Sequence, residues 1–422
     1  MPSSTSSFKR KLRLPRLFFA RPSEIVPRDY ERPIPQVPWR GMTVVVVLVV
    51  IAAAFAWEFY CRSIGYGPTL NDNEDLWTMA RRRVQPESAV IVGDSRGWFD
   101  LDLDELQKGL GKRPVQLAGP GSCPYPVLAN LTNDETFHGA IICSFTPRLF
   151  MAPPGSPPME RAEKNVRRSR TQTPAQRASQ YLAMPLEEHV AFLKQQDLTL
   201  EQLLKHLPIP NRPAALISPP PPPYFQTVDP ERRARMIEEC ARPGSEMQRR
   251  IQQGWIPLFT PPPPPYFQTL DRERRARMIE ECARPGSELQ RRIQQGWIPL
   301  FTPPPPPTYV PKEVFMAQMM KAIEQRFQDV AAAAQKLRAR GGKIVFVRMP
   351  VSGELKVLED RTTPRSQIWD RVMKDTAAPG IYFEDFPELA GFNCPEWSHL
   401  SAGDSVEFSK RLVPHLRAAL GM

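Results

Sequence analysis

Three short, mainly apolar runs set the tightest limit on how this chain folds: Ala89 to Val92, Ala140 to Phe145 and Lys343 to Arg348. Each is too short to be a helix burying one face, and none alternates apolar with polar residues as a half-exposed strand does. Runs of this kind suit strands covered on both faces, which is the environment of a parallel sheet. Pro114 to Ala118 and Ile381 to Phe383 are two further strand candidates. Helical patterns separate them. Asp100 is placed to cap a helix through Leu101, Leu103 and Leu106 that stops at Gly109 or Gly111. Phe315, Met319, Ile323, Phe327, Val330 and Leu337 recur at helical spacing from Val314 to Ala339, before Gly341-Gly342. A last helix starts at Ser401 with Asp404 as cap partner and carries Val406, Leu412, Val413 and Leu416; Pro414 should kink it or shift its start. Helices between short buried strands predict an α/β fold with a parallel sheet.

Charge is unevenly placed. The net formal charge is +11, yet nine Lys/Arg against three acids lie before residue 42, immediately ahead of Val44 to Ala56, which has no polar residue. A membrane span needs roughly 17–25 mostly apolar residues, and residues 42–60, ending in Trp57 and Tyr60, meet that need. The basic side should remain cytoplasmic, which makes 1–41 a cytoplasmic tail and puts 61–422 outside the cytoplasm. This placement argues against nucleic acid as the partner of the positive charge. Residues 61–84 read as a stalk.

The fifty prolines are unevenly spread and mark segments rather than the whole chain. After Met151 the strand–helix rhythm is lost until about residue 312, so 85–151 and 312–422 are two parts of one α/β domain and 152–311 is an insertion. Within it Pro219 to Thr260 recurs as Pro261 to Thr302, a 42-residue unit that differs only at Val228/Leu270, Pro230/Arg272 and Met247/Leu289. Each unit opens with five prolines, which favour an extended rod. An Arg/Glu-rich helix over about Pro230 to Ala241 and a second helix capped by Ser245 with Gln248 are expected next. One unit should pack on the domain and the other remain a surface addition. A docking platform for a protein partner is the functional reading of the insertion.

Among six cysteines there is no C-x-x-C spacing, so zinc and redox motifs are absent. If the domain is extracytoplasmic, a Cys123–Cys394 disulfide is conceivable. No G-x-x-x-x-G-K, G-x-G-x-x-G or H-E-x-x-H occurs, so neither nucleotide, cofactor nor metal is expected.

Three islands carry chemistry. Gly93-Asp94-Ser95 places an alcohol at the end of a buried strand, Ala118-Gly119-Pro120-Gly121-Ser122 offers backbone N–H groups in a tight turn, and Glu396-Trp397-Ser398-His399 places a carboxylate three residues before an imidazole. A serine needs an adjacent base, and the base works best when a third group fixes its tautomer. These residues resemble the SGNH (GDSL-type) hydrolase superfamily, over roughly 88–150 and 312–422. The resemblance implies a three-layer α/β/α sandwich, Ser95 as nucleophile, His399 as base and Glu396, where the family has Asp, as its orienter. It further implies that the N–H groups of Ser95 and Gly121 stabilise an oxyanion. The family's third block, G-x-N-D, is missing; the corresponding stretch is Cys143 to Arg148, where Thr146 is the candidate stand-in donor and Arg148 a candidate anion-binding group. Arg348 and Arg361 are weaker candidates for gripping substrate. Membrane-anchored relatives often handle O-acyl groups of cell-surface polysaccharides, so the resemblance implies an esterase or O-acyltransferase acting on acyl esters or acylated glycans, most naturally on the periplasmic face of a bacterial inner membrane. The competing expectation is an inactive SGNH-like scaffold that presents the Pro-rich repeats to a partner.

Overall fold

The computed structural model describes residues 38–63, 66–194, 226–245, 248–249, 252 and 312–422. The chain divides into two compact units, Met1–Phe55 and Ala56–Met422. Helix α1 (Trp39–Ser63) has 25 residues, with a mean hydropathy of 2.4 over its most apolar 18-residue stretch, and is long and apolar enough to cross a membrane. Its Val44 to Ile51 side chains are exposed rather than packed in a core.

The larger unit follows with α2 (Glu74–Arg82), β1 (Ala89–Val92), α3 (Ser95–Phe99), α4 (Leu103–Leu110), β2 (Val115–Gln116), α5 (Tyr125–Thr132) and β3 (Ala140–Ser144). Then come α6 (Pro147–Phe150), α7 (Pro157–Thr171), α8 (Pro174–Glu187), β4 (Gln226–Val228), β5 (Ala234–Met236) and α9 (Glu238–Ala241). The described chain ends with α10 (Lys312–Ala339), β6 (Lys343–Arg348), α11 (Gly353–Thr362), α12 (Trp369–Thr376), β7 (Gly380–Tyr382), α13 (Pro387–Ala390) and α14 (Ala402–Leu420).

Five strands form one parallel sheet in the order β2-β1-β3-β6-β7. Val90 pairs with Ile141 and Val92 with Cys143; Ile141 in turn pairs with Ile344. Every residue of β1 is buried, as are all but the first of β3 and of β6. Successive strand side chains point to opposite faces, so both faces of the sheet are covered. The apolar runs therefore do what their lack of alternation requires. The helices fall into two sets by contact: α4 with α14, and α10 with α5 and α12. From β1 the chain moves to β2 on one side, then crosses to β3 on the other. The order thus reverses between β1 and β3, and in open α/β sheets such a reversal opens a crevice at the strands' carboxyl ends.

Several expectations change. The stretch read as a stalk is core: Leu70, Leu76 and Trp77 are buried, and the Trp77 indole N–H donates to Leu117 O at 3.0 Å. Asp100 does not cap the first amphipathic helix; Asp102 does, accepting from Asp104 and Glu105 N–H, and left-handed Gly111 ends it. Ser401 caps α14 as expected, and the helix continues through Pro414. In the insertion, α7 and α8 pack against α2. The Arg/Glu-rich helix over 230–241 is instead the antiparallel ribbon β4–β5 followed by one short helix. Asp229 accepts N–H groups of Glu231 and Arg233, closing a turn with Arg232 at φ 63°, and this lets Val228, Ala234 and Met236 share one buried face. Local side-chain bonds of this type compete with helix. Ser245 Oγ does accept the Gln248 N–H. Cys123 and Cys394 are free thiols rather than a disulfide; the Cys123 Sγ instead accepts from Arg326. The second repeat unit, 261–302, lies outside the described residues.

Replacing Trp77 with Ala removes a wholly buried indole and should lower unfolding stability by about 3–5 kcal/mol in denaturant titration of the detergent-solubilised protein. A loss below about 1 kcal/mol would place 66–84 outside the core after all.

Candidate functional site

The serine sits where the sheet order reverses. Val92 ends β1; Asp94 then takes an extended conformation, accepts the Arg96 N–H and caps α3, so Ser95 becomes its first residue. Two glycines allow this. A Cβ on Gly93 would lie 2.5 Å from Ser144 Cβ, and one on Gly97 2.6 Å from the same atom. Only bare backbone lets α3 approach the end of β3 so closely. The Ser144 hydroxyl then reaches Asp94 Oδ1 at 3.4 Å.

The histidine reaches α3 from the far edge of the sheet, on the loop after β7 and α13. Leu400 N–H donates to Asp100 Oδ1 at 2.9 Å, which fastens that loop to the carboxyl end of α3. The His399 ring lies on Phe99, centroids 4.5 Å apart, and Phe99 is four residues after Ser95, on the same helical side. Glu396 is fully buried. Its Oε1 accepts the backbone N–H groups of Ser398 and His399 and lies 2.8 Å from His399 Nδ1. A carboxylate only accepts, so that contact puts the Nδ1 proton toward Glu396. The loop is held from below by Ser352, whose hydroxyl donates to Cys394 O and accepts Cys394 N–H. Trp397 adopts a positive φ of 77°, a conformation uncommon for a bulky residue. Its ring occupies the space above Gly353, where a Cβ would come within 2.4 Å.

Ser95 and His399 line one cavity of about 580 Å³, within the range of small-molecule sites. Gly121, Thr146 and Arg148 line it too. Gly121 has φ 56° and is covered by Arg161, which donates to Pro120 O. Thr146 is buried, and its hydroxyl has no hydrogen-bond partner among the described residues. Arg148 is exposed at the cavity. Arg348 is not among the lining residues; its buried guanidinium pairs with Glu359 through Nη2, while Nε and Nη1 have no hydrogen-bond partner among the described residues. Arg361 is exposed and does not line the cavity either. Glu396 stands behind His399. The cavity thus collects Ser95, Gly121, Thr146, Arg148 and His399, whereas Arg348 lies outside its lining and pairs with Glu359. Among the described residues no cluster of three His, Cys, Asp or Glu is placed to hold a metal ion.

Two features have no local sequence signature. Arg96, next to the serine, makes a bidentate pair with Glu359 at 3.0 and 2.7 Å, and Arg348 takes the same carboxylate from the other side. Burial pushes Glu359 up, but the two guanidiniums outweigh it and hold the carboxyl down at about 2. Asp100 goes the other way. Burial raises its pKa to about 7 against the pull of His399, the Leu400 N–H and Arg96. Comparison with protein families, with curated proteins and with solved structures returns no match.

Glu359→Ala strands two buried arginines and should cost about 3–5 kcal/mol, read by denaturant unfolding; a near-neutral result would mean water already screens the pair. Asp100 binds its proton more tightly folded than unfolded, so its contribution to stability is complete below pH 4 and fades as pH rises through about 7. Asp100→Asn, which still accepts the Leu400 N–H, should flatten the fall in Tm between pH 5 and 8. An unchanged slope would assign that fall to other groups.

Proposed function

We propose that this protein is a serine acyl-ester enzyme, an esterase or O-acyltransferase of SGNH type, with Ser95 as nucleophile, His399 as base and Glu396 as its orienter. The observation that carries the reading is that Ser95 and His399, 304 positions apart in sequence, line one cavity while Glu396 binds His399 Nδ1. The reversed strand order, with the serine directly after β1, fits the three-layer arrangement of that superfamily.

In this reading His399 Nε2 takes the Ser95 hydroxyl proton as Oγ attacks the acyl carbonyl. Glu396 stabilises the imidazolium that results. The carbonyl oxygen becomes an oxyanion in reach of the N–H groups of Ser95 and Gly121. The Thr146 hydroxyl, buried at the cavity and unbonded, supplies the donor that the family's missing Asn would give. Collapse of the tetrahedral species breaks the ester bond, and His399 returns the proton to the departing alcohol. An acyl-Ser95 intermediate remains. Water or an acceptor hydroxyl then attacks it, with His399 again taking and returning the proton. Arg148 at the exposed rim suits an anionic or polyhydroxylated leaving group, in keeping with O-acylated surface glycans. With eight basic residues ahead of α1 and Arg40 in its first turn, the catalytic unit belongs on the non-cytoplasmic side.

The test is release of p-nitrophenol from p-nitrophenyl acetate by the full-length protein in detergent. Ser95→Ala and His399→Ala should each lower kcat by about 10³-fold or more, and Thr146→Val by about 10². Equal rates for wild type and Ser95→Ala would remove Ser95 as nucleophile.

A further inference from the structure

Helix α8 is turned inside out. Its inward face carries Gln180 and Glu187, both buried: Gln180 Oε1 accepts the Asn73 side-chain N–H at 3.1 Å, and Glu187 Oε2 accepts the Asn71 backbone N–H at 2.9 Å. Met184 beside them packs on the apolar core. The outward face carries Ala178, Tyr181, Leu182, Pro185 and Leu186, a spacing of i, i+3, i+4, i+7 and i+8 that makes one continuous stripe. These side chains are exposed, Leu182 at 72%, Leu186 at 57% and Tyr181 at 50%. A surface helix of a globular domain normally turns such a stripe toward the core; one aimed outward marks a surface that meets another apolar phase.

What the stripe meets follows from where the helix ends. Val190 N–H donates to Leu186 O at 2.9 Å, so residues 189–192 continue directly from it. That segment is fastened to the last turns of α1, which belong to the larger unit. Glu58 Oε1 and Oε2 accept the N–H groups of Ala191 and Phe192 at 3.0 and 3.1 Å, and Arg62 donates to His189 O at 3.1 Å. Cys61 packs there with Tyr66 and Ala191. Trp57 and Tyr60, on the same turns, are exposed, and these two residue types concentrate at the level of lipid headgroups. The five residues from Leu186 to Ala191 span at most about 18 Å, so the stripe begins within reach of that level. Arg177, 5.8 Å from the Tyr181 ring centroid, adds a cation beside the stripe that suits lipid phosphates.

We propose that α8 lies along the membrane surface, with Tyr181, Leu182 and Leu186 among the headgroups and upper acyl carbons of the bilayer that α1 crosses. The placement rests on α1 being a membrane span and is independent of the proposed chemistry. An interfacial helix buries its apolar face roughly 5–10 Å into that boundary. With α1 alone the larger unit hangs on a single tether. A second contact through α8 fixes which side of the unit faces the lipid, and with it the direction in which the Ser95 cavity opens.

Lipid contact is read by site-specific fluorescence of the full-length protein in phosphatidylcholine vesicles that contain a lipid with a nitroxide near its headgroup. Five of the six cysteines are buried, and Cys282→Ser removes the sixth, so an NBD label at Leu182→Cys, Leu186→Cys, Phe55→Cys or Asp360→Cys reports on its own site. Labels at Leu182 and Leu186 should lose most of their emission to the nitroxide, as the label at Phe55 in α1 does, while Asp360, exposed on α11, keeps its emission. Quenching at Phe55 with none at Leu182 or Leu186 would overturn the proposal and leave the span standing. Blue-shifted emission at Leu182 without quenching would overturn it in favour of a protein cover, from this chain or a second copy. No quenching at any site, Phe55 included, would remove the span and the proposal together.

Discussion

A single buried carboxylate joins the two halves of the α/β unit. Glu359, on α11, is gripped by Arg96, the residue after the serine, and by Arg348, the last residue of β6. Three charges out of water are costly unless all are paired. Moving α3 away from α11 would part Arg96 from Glu359 inside the core. The network therefore admits one position for the start of α3, and the serine inherits that position. Gly93 and Gly97 act in the same direction through sterics, by letting α3 settle onto Ser144. Charge and shape agree at this point, and together they hold the Ser95 backbone in one position.

The opposite side of the cavity is built by tethers rather than by a regular element. Asp100 holds Leu400, Ser352 holds Cys394, and Glu396 folds its own loop around three donors. Positive φ at Trp397 marks a backbone that neighbours over-determine, a strain that clusters where geometry matters more than stability. A helix would have been stiffer, but it would not have turned the imidazole onto Phe99.

What could be read from the sequence follows from the range of the interactions. Strands β1, β3 and β6 and the Ser401 cap are local patterns and were legible residue by residue, while the helix stop was narrowed only to Gly109 or Gly111. So were Gly93-Asp94-Ser95 and the Glu396/His399 spacing, since each is short. The Arg96–Glu359 pair joins residues 263 apart and has no local trace. Trp77 was hidden in a stretch lacking strand periodicity. Asp100 did look like a cap, yet its carboxylate goes to Leu400. The ribbon around Arg232 was misread because a charge-rich run satisfies helical and turn chemistry equally well; the deciding Asp229 turn and the buried face of Val228, Ala234 and Met236 gain meaning only against Asp72 and Trp98. Gly97 alone offered a missed clue, four residues after Gly93 and equally bare.

The register of the central strand has a consequence for how the molecule is made. Ala140 of β3 pairs with Lys343 of β6, about 200 residues later, and a ribosome adding roughly 5–20 residues per second needs about 10–40 s to bridge that gap. Throughout it, one edge of β3 offers unpaired amide and carbonyl groups, an invitation to mispairing. The duplicated unit prolongs the wait by 42 residues. Demand for a chaperone during synthesis is thus written into the spacing of two neighbouring strands.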